Sequence, residues 1–296
     1  MNVVRHTSNT LSLKQKRSFI EKELKEIFAQ PDAVIATPIF QESLTYTLQL
    51  KGKRIRPLLA MATYELFKDN GVAIVRPACA VELFHAGSLM LDDLPCMDDA
   101  ALRRGKTTHH LVYGESVTIL ASAALWTKAY DILGELDHPK ALQLVRDSAR
   151  LVSEQGLIVG QYLDLFSMHK VTTREQLEYC YELKTSGLFR MAVRYGAVLG
   201  DAQSEEVEAL DTYARLLGIA FQIRDDIIDA TQSAEESGKD AHKDEDNEKV
   251  NFVSLIGVDA SKDALNQTLQ DAQNALATLN RDCIVLIEII DKLKLE

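Results

Sequence analysis

Apolar residues recur along this chain at intervals of three and four, the period of a helix with one buried face. Phe19, Ile20, Leu24, Ile27 and Phe28 make a first segment, and Leu44 and Leu48 mark the next. Pro57 suits the first turn of a third segment running to about Phe67, and Pro77 stands near the start of a fourth that leads to Asp93. Both placements follow from proline's missing N–H, which a first helical turn does not need. Further helices are expected over about 115–134, 139–166, 173–199, 204–230, 261–279 and 282–294. Strand-turn-strand patterns are missing and Gly and Pro number only 14 and 6. The expected class is therefore all-α, a bundle of about ten or more helices.

Two stretches stand outside the pattern. Residues up to about 12 are polar and expected to be flexible. Ser233 to Lys249 holds almost no apolar residue and reads as a long surface loop of the kind that often serves as a lid. Helical pattern resumes at once beyond it, no Gly/Ser/Pro-rich linker or internal repeat occurs, and one domain over 1–296 is the expectation.

Composition narrows the function. A formal charge of -11 disfavours nucleic acid, whose phosphates demand a broad basic face. Cys79, Cys96, Cys180 and Cys283 are dispersed without a Cys-x-x-Cys pair, which indicates neither a disulfide framework nor a zinc site. The N-terminus lacks an apolar leader core, and no run approaches the ~18 apolar residues of a membrane span. A soluble, cytoplasmic protein with no membrane span is expected.

Against that background two aspartate clusters stand out: Asp92-Asp93-Leu94-Pro95-Cys96-Met97-Asp98-Asp99 and Asp225-Asp226-Ile227-Ile228-Asp229. On an ideal helix Gln222, Asp225, Asp226 and Asp229 fall within one polar stripe about 100° wide. An acidic stripe is ordinarily a solvated face, but Phe221, Ile223, Ile227 and Ile228 surround this one. Carboxylates set in apolar sequence need a cation, and Mg²⁺ takes carboxylate oxygens together with water and substrate phosphates. In the first cluster Pro95 interrupts regular helix. Helical arithmetic would align Asp99 with Asp92, whereas a bulge or helix end would bring in Asp98, and the sequence leaves the choice open.

Anions need donors as well. Lys51-Gly-Lys53-Arg54-Ile-Arg56-Pro57 precedes a helix start, and Leu102-Arg103-Arg104-Gly105-Lys106 follows the first acid cluster. A basic run alone is usually surface charge. Beside two acid clusters, these suggest diphosphate held between metals and guanidinium groups.

DDLPCMDDAALRRGK and FQIRDDIID, with GKRIRP upstream, Lys184-Thr185 in ELKTSGL, and Gly160-Gln161-Tyr-Leu-Asp164, together resemble the trans-isoprenyl diphosphate synthases, specifically the bacterial farnesyl and geranylgeranyl diphosphate synthases. The resemblance runs from about residue 45 to 257, in the family's motif order. It implies an all-α bundle around a deep central cavity, a homodimer, and condensation of isopentenyl diphosphate with an allylic diphosphate such as dimethylallyl or geranyl diphosphate, giving a C15 or C20 product. It implies three Mg²⁺ per site, with Asp92 and Asp98 as ligands, Asp93 assisting, and Asp225 on the opposite side with Asp229 and Asp226 in support. By the same match Arg103, Lys184 and Lys239 would hold the allylic diphosphate, and Lys53, Arg56, His85 and Arg104 isopentenyl diphosphate. Thr185 and Gln222 would face the reacting carbon. Gly87, where bacterial farnesyl synthases usually carry an aromatic residue, would leave the product tunnel open, with Ser88 beside it and Phe84 one turn deeper as an alternative floor.

Gly156 and Gly160 read as close helix contacts rather than chemistry, because glycine otherwise costs about 1 kcal/mol inside a helix. Trp126, His109 and His110 acquire no role. Lys51, Leu91, Ala100 and Ala101 depart from the family's usual residues beside the motifs, and the end of the sequence lacks the usual Arg-containing tail. Two rivals remain. A terpene cyclase would need only one diphosphate site, and a non-catalytic divalent-ion scaffold would leave the basic elements unexplained.

Overall fold

A computed structural model describes residues 11–29, 38–231 and 250–295. The N-terminal 10 residues and the lid expected over 233–249, with Lys239, lie outside the described residues. The elements are α1 (Leu13–Glu26), α2 (Pro38–Gln49), α3 (Ile55–Tyr64), α4 (Val75–Asp92), a two-stranded hairpin β1 (Leu102–Arg103) and β2 (Lys106–Thr107), α5 (His109–Tyr113), α6 (Glu115–Gly134), α7 (Ala141–Val152), α8 (Leu157–Phe166), α9 (Arg174–Tyr181), α10 (Gly187–Leu199), α11 (Ser204–Thr231), α12 (Phe252–Ile256), α13 (Val258–Ala277) and α14 (Ile284–Asp291). The all-α expectation holds, and the proteins of known structure described below share the fold.

The helix caps follow local chemistry. Ser12 and Gln15 form a reciprocal capping box at the start of α1, and Asn251 and Ser254 do the same for α12. α4 is apolar nearly all round and most of its residues are buried, the mark of a central helix. It packs along α6, with α3, α10 and α1 on its other sides, while α10 lies on α3 and α11, and α11 on α13. By length and composition the stretch Gly71–Asp92 would be able to cross a membrane, contrary to the sequence expectation, but 67% of its apolar window is buried in this core.

Several boundaries differ from the periodicity. The helix expected over 139–166 breaks into α7 and α8, because Gly156 approaches the preceding turn so closely that a Cβ would lie 2.0 Å from the Leu151 carbonyl oxygen. A short 3₁₀ turn, Gly71–Ile74, precedes α4. The expected 173–199 helix is continuous but widens into a π-helical turn at Glu182–Ser186, a local register shift that pattern counting cannot see and that often marks functional sites. The hairpin was not foreseen. Its two-residue loop places Arg104 at φ 54° and Gly105 at φ 73°, the paired positive angles that tight hairpins favour.

Candidate active site

The end of α4 settles which aspartates meet. The chain folds back after Asp92: the Asp98 N–H donates to the Asp92 carbonyl (2.9 Å), the Asp99 N–H to that of Leu94 (3.1 Å), and the Ala100 N–H to that of Asp93 (3.2 Å). Asp99 then takes a left-handed φ of 45° and is exposed. Asp98 sits close enough to Asp92 to raise its pKa. The turn at Pro95 therefore joins Asp98, not Asp99, to Asp92, as a helix end there would require.

Burial pushes the Asp92 carboxyl up to about 7, with Asp98 and Asp164 adding to the effect and Lys184 and Arg103 opposing it. Lys184 donates to Asp164 Oδ2 at 2.7 Å. Its ammonium is desolvated, yet Asp164 and Asp92 hold its pKa above the ordinary lysine value. The π turn places Lys184 there, and α8 abuts it: a Cβ on Gly160 would lie 2.3 Å from the Lys184 backbone nitrogen. Asp164, which sequence analysis quoted without a role, lies four residues beyond Gly160 on the same helix face, and that spacing was its available signal.

Asp93 is 3% exposed and engages the Arg103 guanidinium, whose Nε lies 3.0 Å from Oδ1. Burial keeps Asp93 above the usual carboxylate range despite Arg103. Here Arg103 holds an acid, where the resemblance implies a diphosphate.

From the π turn, the Thr185 hydroxyl donates to Gln222 Oε1 on α11 at 3.1 Å, which brings together the two residues expected to face the reacting carbon. The four-residue stripe is not uniform. Gln222, Asp225 and Asp229 are partly exposed, but Asp226 is 2% exposed and accepts the Tyr181 hydroxyl at 2.6 Å and the Phe252 N–H at 3.0 Å. Asp226 thus ties α9 and α12 to α11 and acts as a positioning residue, a role that helical arithmetic cannot separate from its neighbours'.

The basic elements form a second corner. Arg56 lies 3.2 Å (Nη1) from His85 Nε2 and 4.7 Å above the Phe189 ring, and its buried Nε has no hydrogen-bond partner. Burial lowers the Arg56 pKa to about 10, Arg104 pushes the same way, and Glu82 and Asp225 oppose them. Burial and then Arg56 and Arg104 hold His85 well below the ordinary histidine range, so the imidazole is neutral at pH 7 and accepts from Arg56. A half-buried guanidinium with one buried, unsatisfied N–H beside a second cation has the chemistry to hold an anion. Lys53 is exposed just before α3. Arg54, which had no assignment, is buried and pairs with Glu82 (2.7 Å) and Glu21 (2.9 Å).

Gly87 does not face open space: a Cβ there would lie 2.5 Å from Trp126 Nε1 and 3.2 Å from Ser122 Oγ, both on α6. Trp126 occupies the volume that an aromatic residue at 87 would have filled. Ser88 is buried and donates to the His85 carbonyl at 3.0 Å, and Phe84 is fully buried with its ring edge-to-face on Tyr130 at 5.0 Å.

The acid corner suits Mg²⁺. Asp92 and Asp98 share it, Lys184 and Arg103 bring opposing charge to Asp92, and a carboxyl raised by burial gains from an added cation. Among the described residues no three acidic side chains form a closed metal site.

Comparison with known proteins gives the same answer. The chain is 35% identical to the farnesyl diphosphate synthase of Bacillus subtilis (strain 168) over 290 residues, 95% of this chain and 96% of that protein. It is 40% identical to geranylgeranyl pyrophosphate synthase 3, chloroplastic, of Arabidopsis thaliana over 244 residues, covering 80% of this chain and 68% of that one. The geranyltransferase of Helicobacter pylori, crystallised with magnesium and isoprenyl diphosphate, superposes with a TM-score of 0.82 at 29% identity, over 96% of this chain and 98% of that one. The family model for polyprenyl synthetase matches residues 37–285, a span that takes in both acid clusters, the π turn and the Arg56 and Arg104 pair, and this chain belongs to that family, the trans-isoprenyl diphosphate synthases.

Proposed function

We propose that this protein condenses isopentenyl diphosphate with an allylic diphosphate, dimethylallyl or geranyl, to give farnesyl and/or geranylgeranyl diphosphate, with Mg²⁺ as cofactor. The observation that carries the reading is the pair of corners. One is acidic, with Asp92, Asp98, Asp164 and Lys184, and the other cationic, with Arg56, His85 and Arg104. A cyclase with a single diphosphate has no use for the second, and a scaffold that binds only divalent ions has none for Arg56.

In the reaction the allylic C–O bond breaks and its electron pair leaves with diphosphate. The double bond of isopentenyl diphosphate then supplies the electrons of the new C–C bond, and a proton is lost from the adjacent carbon to the released diphosphate. Asp92 and Asp98, with Asp225 and Asp229 opposite, would hold three Mg²⁺, which supply positive charge to the leaving oxygens. Lys184 in the acid corner adds a fixed charge to the same oxygens. Arg56 and Arg104, with neutral His85 as a hydrogen-bonding neighbour, orient isopentenyl diphosphate. Gln222 Oε1, held by the Thr185 hydroxyl, presents an oxygen dipole to the developing cation. Asp226 keeps α11 in register with α9 and α12. Lys239 is proposed, on the motif match alone, to close over the allylic diphosphate.

A cytoplasmic homodimer fits the surface. Leu111 and Val112 of α5 and Ile119 and Leu120 of α6 are exposed. Ala123 and Thr127 continue the α6 stripe, forming an apolar face of the kind that subunit contacts cover. All four cysteines are free thiols, which suits a reducing compartment. Incubation with Mg²⁺, isopentenyl diphosphate and geranyl diphosphate, followed by product mass, tests the function. Elongated prenyl diphosphates are expected, and a cyclised hydrocarbon or unchanged substrates would overturn it.

A further inference from the structure

We infer that Trp126, reaching across from α6, is the residue that stops the growing prenyl chain. This rests on the proposed condensation and adds the identity of its limiting surface. Gly87 lies five residues before Asp92 and Phe84 eight before it, so at the helical rise they stand ~7.5 and ~12 Å along α4 from the acid corner. A tail that runs from a diphosphate at Asp92 along α4 meets the Gly87 level first. What stands there is indole, since the missing Cβ of Gly87 leaves space that Trp126 Nε1 and Cδ1 enter, 2.5 and 2.6 Å from where a Cβ would sit.

The ring is fixed in place. Its Nε1–H donates to the Phe84 carbonyl at 3.0 Å, and the Ser122 hydroxyl, one α6 turn earlier, donates to the Gly87 carbonyl at 2.9 Å. Phe84 beneath it is fully buried and packs edge-to-face on Tyr130, which is four residues beyond Trp126 on the same helix face. Phe84, Trp126 and Tyr130 thus make one aromatic plug, hydrogen-bonded at the indole and therefore rigid. Trp126 is only partly buried, so part of the ring remains open to contact. The arrangement exchanges bulk across a helix seam: the smallest residue on α4 admits the largest on α6.

Two measurements test this. With excess isopentenyl diphosphate and geranyl diphosphate, Trp126→Ala should lengthen the main product by at least one five-carbon unit, read by mass spectrometry after dephosphorylation, while geranyl diphosphate is still consumed. Trp126→Leu, which keeps more of the packing, should lengthen it in the same direction. An unchanged product profile in folded, active variants overturns the assignment and leaves the condensation standing. A wild type that makes no prenyl diphosphate overturns both. Trp126 is also the only tryptophan in the chain, so the intact protein reports on it directly. Farnesyl diphosphate with Mg²⁺ should shift its fluorescence saturably and inorganic diphosphate with Mg²⁺ should not. No shift with either, or equal shifts with both, counts against contact between the tail and the indole.

Discussion

Replacing Gly160 by alanine is a sharp test of how the acid corner is held. On helix propensity alone the change should stabilise α8 by ~1 kcal/mol. The structure predicts the opposite, because the new Cβ would sit 2.3 Å from the Lys184 nitrogen, 2.6 Å from its Cα and 2.7 Å from the Leu183 carbonyl carbon, all backbone atoms. Ordinary carbon contacts lie at ~3.5–4.0 Å, so α8 and the π turn must part by roughly 1 Å. Overpacking of this kind costs about 1–3 kcal/mol, and after the propensity gain a net loss of ~0–2 kcal/mol remains, a Tm drop of a few degrees at most. Catalysis is far more sensitive, since a ~1 Å misplacement of a positioning group costs ~100-fold in rate. Lys184 and Thr185 are the groups displaced. Steady-state kinetics with isopentenyl and geranyl diphosphates, beside thermal unfolding, should therefore show kcat down ~100-fold with Tm nearly unchanged. Gly134→Ala, where a Cβ would meet nothing within 4 Å, is the control and should leave both alone. If Gly160→Ala kept wild-type kcat, the contact between α8 and the π turn would not be what positions Lys184.

Three further outcomes follow from the same geometry. Asp92→Ala and Asp225→Ala should each lower turnover by at least ~100-fold while the fold persists, because each removes a carboxylate proposed to hold the Mg²⁺ that would stabilise the developing diphosphate charge; near-wild-type turnover at saturating Mg²⁺ would refute the two-sided arrangement. Asp226→Ala should instead lower stability, by ~2–4 kcal/mol in urea unfolding, since it removes a buried acceptor of the Tyr181 hydroxyl and the Phe252 N–H; an unchanged unfolding midpoint would show that this carboxylate holds nothing. Asp211 is half-buried, and although desolvation raises its pKa, its bonds to Arg194 and Arg190 outweigh that and hold it below the ordinary 3.8. The folded state thus binds this proton less readily than the unfolded chain, so the stability advantage over Asp211→Asn should be full above pH 3.8 and fade as pH falls through the lower folded value; a gap that stays constant from pH 6 downward, measured by denaturant unfolding, would contradict it.

Much of this protein was legible in the order of its residues. A buried helix face repeats at three and four, so the all-α class and the long helices are legible without coordinates, though not every break or short helix. Acids and arginines set among apolar residues announce charge that must be neutralised, and the motifs around Asp92, Arg103, Lys184 and Asp225 identify the family. Placement within a motif was less accessible. Asp98 and Asp99 are adjacent and identical, and only the turn after Asp92, with three amide hydrogen bonds closing it, sends one inward and the other to solvent. Asp225 and Asp226 share a helical stripe, yet it is Asp226 that is buried and accepts from Tyr181 and Phe252, and a partner on another helix has no trace in local periodicity. Gly87 looked like an absence of bulk, and nothing near it in sequence says that Trp126, on another helix, fills the space. What the sequence alone determined was which chemistries are present and on which helices. Which groups share a corner, and what fills a gap, was decided by packing between segments distant in the chain, where a single Cβ or a single turn moves a side chain from one surface to another.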